Sequence, residues 1–124
     1  MTDAVEAAAR AVARPGTTIT ASCSSTAPAT VETAVDEVFG AAGVLAQVER
    51  GEEEGVDGYV IACFGDTGLD AARERAAGPV VGMTEAALQA AALVAHRFTV
   101  ITMPPRTVAT VSYTHLTLPT TPYV

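Results

Sequence analysis

Apolar residues recur every three or four positions in several stretches of the chain, which is the spacing of one helix face. The first of these stretches, residues 2–14, is stopped by a Pro-Gly pair. Thr30 and Thr84 precede two others and are candidate N-caps, whereas Gly40 and Gly43 are expected to interrupt a helix. The predicted helices cover residues 2–14, 31–39, 44–50, 67–77 and 85–95.

Short apolar runs alternate with these helices. They cover residues 17–21, 58–63, 79–82 and 98–102. Because they are continuously apolar instead of alternating with polar residues, they are typical of a parallel sheet covered by helices on both faces. The pattern therefore predicts an α/β protein with a three-layer, flavodoxin-like parallel sheet.

One strand-to-helix junction carries the residue best suited to chemistry. The stretch YVIACFGDTGLDAARE, residues 59–74, ends an apolar run in Cys63, passes through a turn of small residues and starts a helix. The carboxyl ends of parallel strands form the edge where ligands bind, and N–H groups at the start of the next helix stabilise a thiolate there. We expect Cys63 to be reactive; the alternative is a small buried hydrophobic residue.

The composition excludes several classes of partner. The chain has 14 acidic and 7 basic residues and a formal net charge of −7, whereas nucleic acid and anionic membranes bind clustered Lys and Arg. No apolar stretch reaches the roughly 20 residues of a membrane span, and two cysteines do not make a disulfide framework. We expect a cytoplasmic protein with reduced thiols that binds neither nucleic acid nor a membrane.

The end of the chain differs from the rest. Residues 111–120 read VSYTHLTLPT, and their back-translation resembles one reading frame of the transposon-end adapter used in shotgun sequencing libraries. Scars of this kind are excluded from fold reasoning. We expect residues 1–110 to be native sequence and residues 111–124 to be a non-native, disordered tail.

The stretch around Cys63 resembles the Asp/Glu/hydantoin racemase family. The run IACFGDTGLDAARE, followed by PVVGMTEAA and RFTVIT, is similar to the hydantoin racemase pattern in order and spacing, over most of residues 15–102. PATVE, residues 28–32, resembles a Pro-x-Ser-Ile-Glu segment that helps to shape the pocket in that family. The resemblance implies one lobe of a two-lobe racemase fold, with Cys63 as the first of two catalytic cysteines.

The resemblance also implies a mechanism. Two cysteines, one from each lobe, face each other across the substrate; one thiolate removes a proton next to a carbonyl, and the other thiol returns a proton to the opposite face. No metal or pyridoxal cofactor is needed, because the carbonyl takes up the negative charge. This sequence has neither the Gly-Cys-x-Gly-like segment of the second lobe nor the family's first strand, so we expect an incomplete N-terminal lobe, residues 1–110, of low stability.

Four further residues are candidates for substrate binding. By the resemblance, Phe64 and Gly65 offer backbone amides to the substrate. Thr102 and Met103 end the last predicted native strand at the same edge of the sheet. For all four residues, ordinary packing at a strand end is the alternative.

Other chemically capable residues are assigned ordinary roles. Cys23 lies in ASCSSTAP, which does not resemble the second-cysteine motif. Asp66 and Thr67 are more typical of a cap for the following helix than of a base, and His96 is more typical of a helix terminus. No Cys/His cluster has the spacing of metal ligands, so no metal site is expected.

The sequence thus predicts a racemase that acts without a cofactor on 5-monosubstituted hydantoins or allantoin, present here as a fragment without activity of its own. Amino-acid racemases, maleate isomerases and arylmalonate decarboxylases stay open within the superfamily. A noncatalytic flavodoxin-like module that binds a small molecule is the alternative from another class, and an unreactive Cys63 would indicate it. The predicted partner is a small-molecule substrate, and homo-oligomerisation stays open.

Overall fold

The computed structural model describes residues 2–101. It contains, in chain order, α1 (Thr2–Val12), α2 (Ala34–Glu54), β1 (Tyr59–Ile61), α3 (Leu69–Arg75), β2 (Val80–Gly82) and α4 (Met83–Val94). The two strands pair in parallel, with Tyr59 opposite Val80 and Ile61 opposite Gly82. Parallel strands need a crossover, which α3 provides here. The predicted α/β class with a parallel sheet is therefore confirmed.

The hydrophobic core lies where α2 and α3 pack together beside the sheet. Its buried members come from both helices and both strands: Val48, Ile61, Leu69, Ala72 and Val80. Burial of a large aliphatic side chain stabilises a fold by about 1.5–3 kcal/mol. Cys63 packs against this cluster from its edge and is half-buried, so the core fixes the position of the cysteine.

Helix α2 begins three residues later than predicted. Its N-cap is Thr33, whose hydroxyl accepts from the N–H of Asp36 at 3.1 Å, while the Asp36 carboxylate accepts from the N–H of Thr33 at 2.8 Å. This reciprocal capping box needs an acidic or amide side chain three residues after the cap. Thr30 has Thr33 at that place, and the prediction of Thr30 as the cap was wrong for this reason.

The same helix runs without interruption through the two glycines that were expected to break it. Both are buried against neighbouring loops. A Cβ atom on Gly40 would lie 3.2 Å from Cγ2 of Thr67, and one on Gly43 would lie 2.7 Å from Cβ of Ala27. Glycine costs a helix only about 1 kcal/mol relative to alanine, and at these two positions it allows close approach of the loops.

Two predicted strands are absent from the described part of the chain. Residues 17–21 and 98–101 have no strand assignment, and Thr102, which was expected to end the second of them, lies outside the described residues. A strand exists only when its backbone groups pair with a neighbour. The carbonyl of Ile19 instead accepts from Nη2 of Arg10 at 2.5 Å, so the first segment is bonded to the side chain of α1.

A hydrogen-bonded pair connects the end of α2 to β1. The hydroxyl of Tyr59 donates to Oε1 of Glu52 at 2.7 Å, and the N–H of Ala77 donates to Oε2 of the same carboxylate at 3.2 Å. Removal from water, together with this hydrogen bond and the charge of Glu52, raises the pKa of Tyr59 to about 12.

We expect the stability of the chain to fall as the pH rises above about 10, where an unfolded tyrosine ionises. The folded chain holds the phenol proton until about pH 12, so in this window the unfolded state binds fewer protons and high pH favours unfolding. Phenolate absorbance reports the ionisation when Tyr113 and Tyr123 are replaced by phenylalanine. Glu52→Gln should lower the pH of ionisation, and an unchanged titration curve would contradict this explanation.

Candidate active site

The loop between β1 and α3 places Cys63 and needs glycine to do so. The N–H of Asp66 donates to the carbonyl of Cys63 at 3.0 Å, and the N–H of Leu69 donates to the carbonyl of Asp66 at 3.0 Å, which makes two successive turns. Gly65, Asp66 and Gly68 have φ values of 105°, 53° and 76°. Left-handed values such as these are open to glycine and tolerated by Asp. The Gly-Asp-Thr-Gly run therefore encodes this loop.

The sulfur of Cys63 has two hydrogen-bond partners in the described structure. It lies 3.8 Å from the carbonyl oxygen of Phe64 and 3.6 Å from Oγ1 of Thr67. A carbonyl oxygen only accepts, so these contacts suit a thiol that donates its proton. The expected N–H groups of α3 are not among them, because that helix begins at Leu69 and not at Thr67.

Thr67 connects the cysteine to helix α2. Its side chain is only 4% exposed, and its hydroxyl donates to Oε1 of Glu37 at 3.0 Å. Glu37 is half-buried in the first turn of α2. Cys63, Thr67 and Glu37 therefore form a continuous chain of hydrogen bonds from the loop to the helix.

Asp66 connects the same loop to α4. This side chain is 5% exposed; Oδ1 accepts from the N–H of Thr84 at 2.9 Å, and Oδ2 accepts from the N–H of Glu85 at 2.8 Å. The free N–H groups of a helix N-terminus attract a carboxylate in this way. Asp66 or Thr67 was expected to cap the following helix, α3, and Thr84 to cap α4. Both expectations were wrong, because α3 begins after Gly68 without a side-chain cap and Asp66 caps α4 from a distant loop.

Two further details fit α4 to the loop. The hydroxyl of Thr84, which is 2% exposed, accepts from the N–H of Gly65 at 3.2 Å. A Cβ atom on Gly82 would lie 2.5 Å from the carboxylate of Asp66, so only glycine fits directly before the helix. The end of β2 and the loop after β1 are thus held against each other.

The other residues considered from the sequence differ in exposure and in hydrogen bonding. Phe64 is 45% exposed, and the N–H of Gly65, expected to face substrate, donates to Thr84 in this structure. Thr102 and Met103 lie outside the described residues. Cys23 and His96 are exposed, and no described hydrogen bond connects either of them to the Cys63 loop.

Residues 2–101 contain neither a cluster of metal-ligating side chains nor a membrane-spanning helix. No group of three or more His, Cys, Asp or Glu side chains is arranged to hold a metal ion there. No helix in the same part of the chain is long and apolar enough to cross a membrane.

Sequence reasoning missed Glu37, the hydrogen bond between Gly65 and Thr84, and the partner of Asp66. The sequence indicated a start of this helix at residue 85 with Thr84 as its cap, and only the structure shows that α4 begins at Met83, after Gly82, with no side-chain cap from its own residues. For Glu37 there was no signal, because its partner Thr67 is 30 residues away in the sequence.

The chain contains a parallel α/β unit with a half-buried thiol just past the end of a strand. The N-terminal parts of two helices hold the loop that carries this thiol. These features define a class of α/β proteins with chemistry at the edge of the sheet. Comparison with known families assigns the particular family. The family described as Asp/Glu/Hydantoin racemase matches residues 1–114. The chain belongs to this family, and the resemblance predicted from the Cys63 stretch is confirmed.

Individual relatives agree with this assignment. A hydantoin racemase of Pseudomonas sp. (strain NS671) is 46% identical over 106 residues, which cover 86% of this chain and 43% of the relative. A hydantoin racemase of Rhizobium meliloti is 50% identical over 92 residues, which cover 74% of this chain and 38% of the relative. The chain therefore spans less than half the length of these two relatives.

A solved structure supports the fold directly. The allantoin racemase from Klebsiella pneumoniae superposes with a TM-score of 0.87 at 51% sequence identity, over 90% of this chain and 46% of that protein. The predicted flavodoxin-like α/β fold with a parallel sheet is therefore confirmed, and the match covers less than half of that protein.

Proposed function

We propose that the protein represented by this chain is a racemase of the hydantoin or allantoin type, with Cys63 as one of its two proton-transfer groups. The observation that carries the proposal is a half-buried thiol at the sheet edge in a chain that is 46–50% identical to proteins named hydantoin racemase. Its substrate class would be 5-monosubstituted hydantoins, including allantoin.

The proposed reaction moves one proton off a carbon and one proton back. A thiolate on one face takes the proton from the carbon next to a ring carbonyl, and the electron pair of the C–H bond moves onto that carbonyl oxygen to form an enolate. A thiol on the other face then gives its proton to the same carbon, which inverts it, and the two sulfurs exchange protonation states. The ring carbonyl supplies the electron sink, so this route uses no cofactor.

The contacts of Cys63 suit one half of this cycle. In the described structure its sulfur has two oxygen neighbours that can accept a hydrogen bond from the thiol, which suits the protonated form of Cys63. For the opposite enantiomer Cys63 would act as the thiolate. The cysteine on the second face would come from a second lobe, which the family resemblance implies.

We expect the 124-residue chain alone to leave an enantiopure hydantoin unchanged. Its other cysteine, Cys23, is exposed in a loop before α2 and has no described link to Cys63. A purified chain that racemised the substrate, with the activity lost in Cys63→Ala, would contradict this expectation.

A hybrid protein tests the function itself. Residues 2–101 would replace the matching portion of the Klebsiella pneumoniae allantoin racemase, whose fold they share at a TM-score of 0.87. We expect the hybrid to racemise enantiopure allantoin or a 5-monosubstituted hydantoin, followed by the loss of optical activity. Circular dichroism would show whether the hybrid folds. A folded hybrid that leaves both compounds unchanged would contradict the proposal and favour a noncatalytic binding module.

A cytoplasmic location is part of the same proposal. It is supported by the two cysteines of the chain, both of which are free thiols in the structure. Localisation of a fluorescently tagged full-length protein would test it, and secretion would contradict it.

A further inference from the structure

We propose that Thr67 and Glu37 are positioning residues that control the protonation of Cys63. While Glu37 accepts the proton of the Thr67 hydroxyl, the oxygen of that hydroxyl accepts a hydrogen bond from the thiol. When Cys63 is a thiolate, the hydroxyl turns and donates to the sulfur. The inference deepens the proposed function, because a racemase cysteine must alternate between these two states. Its test measures the reactivity of the thiol and does not depend on racemisation.

The hydroxyl of Thr67 can donate one hydrogen bond and accept others. A hydroxyl has one proton to donate and two lone pairs to accept with. In the structure the proton of Thr67 is directed to the Glu37 carboxylate at 3.0 Å, since a carboxylate only accepts. The lone pairs of the same oxygen are then left for the sulfur of Cys63 at 3.6 Å. As long as Glu37 holds the hydroxyl, the oxygen facing the sulfur is an acceptor, which favours the thiol.

Thr67 is also buried beside the sulfur of Cys63. Thr67 is 4% exposed, so few waters can replace the hydroxyl beside the sulfur. Its methyl group, Cγ2, points to α2, where it would lie 3.2 Å from a Cβ atom on Gly40. The methyl thus anchors the side chain while the hydroxyl proton can rotate about the Cβ–Oγ1 bond without movement of a heavy atom. Hydrogen bonds to charged sulfur or oxygen are stronger than neutral ones, so loss of the proton from Cys63 attracts the hydroxyl proton.

The other charged groups around the loop are already engaged. The Asp66 carboxylate accepts from two N–H groups of α4, and Glu85 on α4 pairs with Arg73 at 2.6 Å. Glu37 is therefore the carboxylate whose only described side-chain hydrogen bond leads to the cysteine through Thr67. Its hold on the hydroxyl proton of Thr67 favours the thiol.

The test is a double-mutant cycle on the alkylation rate of Cys63 by iodoacetamide at neutral pH. Cys23→Ser in every chain leaves Cys63 as the sole thiol. We expect Glu37→Gln to increase the rate roughly three- to tenfold, the effect of one typical hydrogen bond. Thr67→Val keeps the shape of the side chain and removes the hydroxyl; in that background Glu37→Gln should change the rate less than about twofold, because the coupling needs the hydroxyl.

Matched variants separate this mechanism from others. Glu53→Gln removes an exposed carboxylate at the far end of α2 and should leave the rate unchanged, whereas Thr67→Ser should retain the response to Glu37→Gln. An equal response to Glu37→Gln with and without the hydroxyl would reduce the effect to simple charge and overturn the proposal, as would no response at all. If Thr67→Val fails to fold, Thr67→Ala removes the same hydroxyl and takes its place in the cycle. Coupled alkylation together with an inactive hybrid would refute the racemase function and leave this inference standing.

Discussion

Replacement of Cys63 by serine in the hybrid racemase should lower the racemisation rate by about 10²- to 10⁴-fold, the usual contribution of one general acid or base. A serine hydroxyl is a far weaker acid than a thiol, so it neither gives up nor takes back a proton readily at neutral pH. The surroundings should tolerate the change, since the sulfur is half-buried and both of its neighbours are oxygen atoms that accept from a hydroxyl.

Isotope exchange makes this prediction specific to two-base chemistry. In deuterated water the Cys63→Ser hybrid should still exchange the C–H proton of one enantiomer, because the cysteine on the other face remains, whereas exchange of the opposite enantiomer should stop. Cys23→Ser, at an exposed cysteine without a described link to the loop, is the control and should leave both rates unchanged. A Cys63→Ser hybrid within tenfold of the parent would exclude Cys63 as a proton-transfer group.

Asp66→Ala should lower the free energy of unfolding of the chain by about 2–4 kcal/mol, the sum expected for a lost helix cap and for hydrogen bonds to a buried charge. The carboxylate is 5% exposed and accepts from two N–H groups at the start of α4. Alanine leaves these groups without a partner and opens a space next to Gly82. The change is measured from the urea midpoint at constant slope.

The chain offers a close control for this experiment. Asp70 lies four residues later, its side chain is 98% exposed, and it makes one ion pair of 3.9 Å. Asp70→Ala should therefore cost less than about 0.5 kcal/mol. If Asp66→Ala abolishes folding, Asp66→Asn provides a milder change, because its amide oxygen can still accept from one N–H. Equal midpoints for the Asp66 and Asp70 variants would show that the bridge to α4 does not stabilise the fold.

The sequence predicted those features that depend on neighbours along the chain. The apolar run before Cys63, the Gly-Asp-Thr-Gly turn and the helix after it are all local, and the structure contains a strand, a loop and a helix in this order. Helix boundaries were less accurate where two threonines competed as caps. Thr33 was preferred over Thr30 because Asp36 completes its capping box, a difference that the sequence already contained.

Features that depend on distant parts of the chain were not predictable in this way. Asp66 caps a helix that begins 17 residues later in the sequence, and Gly40 and Gly43 mark close packing instead of helix ends. A single sequence shows the periodicity of its apolar residues and the structural propensities of its segments, but it does not indicate which loop packs against which helix. The strand predicted at residues 17–21 failed for a related reason, since propensity supplies no pairing partner.

The Cys63 loop divides its side chains between two tasks. Asp66 and Thr67 make hydrogen bonds that connect the loop to α4 and α2, Cys63 bonds within the loop, and two other positions are glycines. Among residues 63–68, this leaves Phe64. Its side chain makes none of the described side-chain hydrogen bonds, and the residue is 45% exposed. Evolution is therefore free to vary this residue while the backbone that carries the thiol stays in place. In a racemase of this type, preference for one ring substituent over another could diversify at position 64 at little cost to the acid–base machinery beside it.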